Sequence, residues 1–62
     1  MPSSYYSALS KAVDLAPDIN KATEFIKWAE DICELITYIY SKDYDEVTED
    51  LVKKVKESQE DE

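Results

Sequence analysis

The sequence predicts an all-α fold: a small three-helix bundle, short–long–short, with antiparallel neighbours and dimerisation along the long central helix. Three observations predict it. Apolar residues recur at three- and four-residue spacing through three segments. Strong breaks fall only at Pro17 and across Ser41-Lys42-Asp43. The 62 residues contain no glycine, so nothing else loosens the helical pattern.

The first helix is expected from about Ser4 to Leu15. Ser3 and Ser4 are good N-cap residues behind Pro2. Tyr5, Ala8, Leu9, Ala12, Val13, Leu15 and Ala16 form the apolar side, and Ser7, Ser10, Lys11 and Asp14 the polar one. Pro17 ends it by disfavouring helical geometry in the preceding residue.

The second helix is expected from about Asp18 to Tyr40. Pro17 suits a first helical position and Asp18 a first turn, with Asn20 as an alternative cap. More than twenty residues at 1.5 Å each give roughly 33 Å. On a helical wheel the apolar residues, from Leu35, Trp28, Ile39 and Ile32 round to Cys33, Ile26 and Ile19, sweep about 200°, against roughly 100° for a helix lying on one core. Such a helix must be covered on more than one side. The first helix would cover its N-terminal half and the third its C-terminal half. A second copy would cover the rest, with Trp28, Ile32, Leu35 and Ile39 near the seam.

The third helix is expected from about Tyr44 to Lys56. Asp43 and Glu46 stand at capping-box spacing, although the box proper uses Ser or Thr at the cap. Tyr44, Val47, Leu51 and Val55 form its stripe. Acids precede lysines along it, matching the helix macrodipole. Glu49–Lys53 and Asp50–Lys54 have favourable i,i+4 spacing. Residues 57–62 have little to bury and are expected to form a disordered acidic tail.

One domain is all this length allows. A chain of about 60 residues buries only about 60% of its unfolded surface and is marginal alone. Its one cysteine excludes an intrachain disulfide, and no histidine accompanies it to hold zinc. Cys33 falls within the apolar arc and reads as a small buried hydrophobe. Helix packing, self-association or a partner must supply the stability.

The missing residue types exclude chemistry. Without histidine there is no Ser–His or Cys–His nucleophile pair. Without glycine there is no phosphate-cradling loop. All seven basic residues are lysines, so no arginine can clamp a carboxylate or phosphate bidentately. Asp43, Asp45 and Asp50 resemble a calcium loop only superficially, because the turn glycine and the ligand ladder are missing. The expectation is a non-enzyme with no cofactor and no metal.

Fifteen acidic residues against seven basic ones give a net charge of −8. That charge repels nucleic acid and anionic membranes. No apolar run approaches the roughly 18 residues of a membrane span, and the N-terminus lacks a signal-peptide pattern. A cytoplasmic setting is expected, the host cytoplasm if the source is viral.

The charge is not spread evenly. Glu30, Asp31 and Glu34 share one face of the second helix. Asp43, Asp45, Glu46, Glu49 and Asp50 crowd the start of the third. Helical neighbours three and four apart lie about 5–6 Å from each other, comparable with phosphate spacing along a strand. These carboxylates, with Tyr38 on the polar face, are the candidate partner-binding residues. Tyr40 and Tyr44 lie on apolar stripes and read as core. Tyr5 and Tyr6 are adjacent and cannot both face it.

In composition the chain resembles short, acidic, helical proteins that act by occupying another protein's surface. Phage-encoded inhibitors of host enzymes and of bacterial immunity belong to that type, nucleic-acid mimics among them. The resemblance implies an inhibitor or regulator docked on a basic protein surface. The alternative from the residues is an assembly module that self-associates through the apolar face of the second helix.

Overall fold

A computed structural model of the chain describes residues 4–60. Three helices follow one another: α1 (Ser4–Asp14), α2 (Ala22–Tyr40) and α3 (Tyr44–Glu60). Tyr5 at the start of α1 meets Tyr40 at the end of α2, ring centroids 6.0 Å apart. Its hydroxyl also reaches Asp50 of α3. Further along, Val13 of α1 lies beside Glu57 of α3. So α1 and α3 run parallel, side by side, and both run opposite to α2. α2 packs most extensively on α3 and least on α1.

The core takes three residues from each helix: Tyr5, Leu9 and Ala12; Phe25, Cys33 and Ile36; Val47, Leu51 and Val55. The α3 residues Val47, Leu51 and Val55 are wholly buried. Fully burying each such side chain contributes about 1.5–3 kcal/mol, so α3 is the spine of the bundle. Trp28, Ala29, Ile32 and Tyr40 of α2 are half-buried against this core.

Several sequence expectations need correction. α1 ends at Asp14, because Leu15 and Ala16 turn their amides onto the Ala12 and Val13 carbonyls in a tighter final turn. Leu15 leaves the apolar stripe there and is 80% exposed. α2 starts at Ala22, four residues after Asp18. The Asp18 carboxylate accepts the Asn20 amide at 2.9 Å, and the Asp18 carbonyl accepts the Lys21 amide at 2.9 Å. That local turn competes with a helical start.

The helix lengths therefore differ from short–long–short. α2 has 19 residues, close to the 17 of α3, while α1 has 11. α3 runs past the expected end at Lys56 to Glu60, so residues 57–60 are helical. Residues 61 and 62, the end of the expected disordered tail, lie outside the described residues. The cause of the extension is Gln59, whose amide donates to the Pro17 carbonyl at 2.8 Å and accepts the Ile19 amide at 2.8 Å. The last turn of α3 thus grips the α1–α2 connection. The covering pattern differs too. α1 begins against the C-terminal end of α2, and α3 follows α2 from Tyr44 to beside Phe25.

The α2–α3 connection is local and tight. Ser41 closes α2 in the left-handed region at φ 54°, ψ 42°, a position glycine usually takes. Asp43 then caps α3, its carboxylate accepting the Glu46 amide at 3.2 Å. The return half of a capping box is not made. Glu46 instead turns its carboxylate to Lys42 at 3.4 Å.

Candidate interaction surface

The carboxylates of α3 fall on two flanks. On the flank toward α1, the Tyr5 hydroxyl donates to Asp50 at 2.6 Å, and the Lys42 ammonium sits 4.3 Å from the Tyr5 ring centroid. Lys42 in turn pairs with Glu46. Burial, the bond to Asp50 and the charges of Asp50 and Glu46 raise the Tyr5 pKa well above its ordinary 10.0. Asp50 is half-buried, with a structural partner, and is not an open surface group. The expected Glu49–Lys53 and Asp50–Lys54 pairs are not formed; Lys42–Glu46 is the ion pair among the described residues. Asp50 is instead engaged by the buried Tyr5 phenol, whose hydroxyl needs a partner.

On the flank toward α2 the carboxylates have no such role. Glu30, Glu34, Asp45 and Glu49 are exposed. Tyr44 lies near Glu30, Glu34 and Asp45, 40% exposed at the edge of the apolar stripe, where the sequence pattern had placed a core residue. As the first residue of α3 it sits one full turn before the wholly buried stripe. Its phenol pKa is raised above 10.0, first by local desolvation and then by coulombic interaction with Cys33, Glu30, Glu34 and Asp45.

Between α2 and α3 on this side lies an open groove of about 220 Å³. Phe25, Ile26, Ala29, Cys33, Tyr44 and Val52 line it, with Glu30 at its margin. Ile26 is 55% exposed. The Cys33 sulfur is buried and lies 3.4 Å from the Thr48 hydroxyl, which donates to the Tyr44 carbonyl at 2.9 Å. Periodicity put Ile26 and Cys33 on the same side of α2 but did not reveal the groove. A groove needs the α3 neighbours Tyr44 and Val52, and their register against α2 is a tertiary property.

The remaining candidates separate further. Asp31 and Tyr38 are exposed on α2, Tyr38 at 85%. Asp43 is occupied as the α3 cap. Of the apolar seam residues, Trp28 and Ile32 are half-buried, while Leu35 and Ile39 are each 55% exposed. No cluster of side chains suited to a metal ion occurs among the described residues. No helix among the described residues is long and apolar enough to cross a membrane. No protein-family model matches the chain, and neither the curated proteins nor the solved structures give a match.

Proposed function

We propose that the chain is a non-enzymatic binding protein, an inhibitor or regulator of the phage-encoded type, that docks its acidic surface on a basic protein surface and blocks nucleic-acid access to it. The observation that supports this is the grouping of Glu30, Glu34 and Asp45 around a part-exposed tyrosine, with no cation paired to them among the described residues. Like charges grouped on one surface weaken a small fold by self-repulsion, and a basic partner would relieve that repulsion. Opposite charge on the partner would speed association and make it salt-sensitive.

The test uses the full chain immobilised beside the variant E30Q/E34Q/D45N/E49Q, with lysate of the source organism and, if that is viral, of its host. The expected result is a nucleic-acid-binding protein retained at low salt, released at high salt and lost on the variant. Retention unaffected by salt or by neutralisation would overturn the proposal.

A second reading is favoured by the exposure of Leu35 and Ile39. Here Trp28, Ile32, Leu35 and Ile39 form a homodimer seam, and the chain is an assembly module. Their spacing of four, three and four is that of a helix-pairing seam. The two readings respond to salt in opposite directions. Screening weakens attraction to a basic partner, but it strengthens association between two copies that each carry −8. Light scattering across a salt series decides whether a dimer exists. W28A/L35A should dissociate it, and a strict monomer at all salts ends this second reading.

A further inference from the structure

The α2–α3 groove is apolar, yet Glu30 stands at its margin and Glu34 and Asp45 lie near Tyr44 at its rim. That combination defines what can occupy it. At about 220 Å³ it is smaller than the roughly 300–1,000 Å³ of small-molecule sites. It is of a size to take one apolar side chain, in the way interface anchors fill pockets. None of the lining residues is a lysine. Phosphate or carboxylate groups approaching it would meet only like charge. A second copy would bring another −8 to the same place.

We infer that the groove is the anchor point of the acidic surface and receives one apolar side chain from a lysine- or arginine-rich protein segment. The cations flanking that side chain pair with Glu30, Glu34 and Asp45, and the apolar contact with Ile26, Ala29 and Val52 fixes the register. Tyr44 lines the rim and combines an apolar ring with a polar hydroxyl, a pairing that suits tyrosine to interfaces. The inference rests on the acidic-surface reading and adds to it a single apolar anchor. Charge then supplies attraction, and the groove supplies selection among basic partners.

Two synthetic peptides test it against the full chain: a short lysine-rich peptide with one central leucine, and the same peptide with serine in its place. Binding is followed by chemical-shift changes in amide NMR spectra. The leucine peptide should bind about tenfold more tightly, the minimum expected from burying a leucine side chain. Its largest shifts should fall at Ile26, Ala29, Tyr44 and Val52. Ile26→Ser, at an exposed position, should remove the leucine advantage and leave the serine peptide unaffected. E30Q/E34Q/D45N should weaken both peptides. Equal affinity of the two peptides, with shifts spread over the acidic face and lost on neutralisation, overturns the anchor while leaving the acidic-surface reading intact. If neither peptide binds, or if neutralisation changes nothing, both fail.

Discussion

The two flanks of α3 carry similar residues and use them differently. Each has a tyrosine beside carboxylates. Toward α1, Tyr5 is buried, hydrogen-bonded to Asp50 and covered by Lys42. Toward α2, Tyr44 is part-exposed among Glu30, Glu34 and Asp45, with a groove beneath it. On the first flank charge is consumed in holding helices together. On the second it remains exposed on the surface. A carboxylate's role is set by whether the fold brings a donor to it, and a residue count cannot show that.

The largest expected effect separates the two tyrosines directly. Tyr5→Ala removes a buried ring and leaves Asp50 half-buried without its donor, costing about 3–5 kcal/mol by analogy with other buried aromatics. In so small a domain that is enough to abolish cooperative thermal unfolding near room temperature. Tyr44→Ala should cost less than about 1 kcal/mol. Equal losses in urea titration would erase the distinction between the flanks.

Alkaline titration sharpens it. The neutral Tyr5 phenol is favoured in the folded state, so the unfolded chain loses that proton first. Above pH 10.0 the folded state binds more protons than the unfolded one, and stability must fall as pH rises. The slope approaches about 1.4 kcal/mol per pH unit for one such group. Tyr5→Phe should flatten this fall while leaving the curve below pH 9 the same shape. An unchanged alkaline slope in Tyr5→Phe would remove Tyr5 from the account.

Gln59→Ala probes the grip that α3 holds on the α1–α2 connection. It leaves the Pro17 carbonyl and Ile19 amide without their partner, at a cost of about 1–2 kcal/mol. Amide exchange should accelerate first at Ile19 and in the final turn of α3. The smallest effect has the opposite sign. Ser41→Gly relieves a left-handed backbone position and should stabilise by about 1 kcal/mol, raising Tm by several degrees. Neither flank should respond to it, since Ser41 lies in the connection between them.

The two connections show how far the sequence could be read. Asp43 as the α3 cap was legible because capping is local: the acceptor and the Glu46 amide are three residues apart. The α2 start was misread because Pro17-Asp18 is equally good grammar for a helix and for a turn. Gln59, 40 residues beyond Ile19, favours the turn. Of the candidate surface, the exposed positions of Glu30, Asp31, Glu34 and Tyr38 followed from helical spacing. The withdrawal of Asp50 into packing did not, because Tyr5 is 45 residues away.

By itself the sequence determined three helices, a core drawn from their apolar stripes, the absence of histidine and glycine chemistry, and an acidic excess on α2 and the start of α3. Those properties depend on spacing along one chain segment and on composition. The tertiary structure alone decided that Asp50 is withdrawn into packing, where a groove opens between α2 and α3, and that the last turn of α3 reaches the α1–α2 connection. Those depend on which segments meet, and contacts between residues far apart in the chain leave no period in the sequence to read.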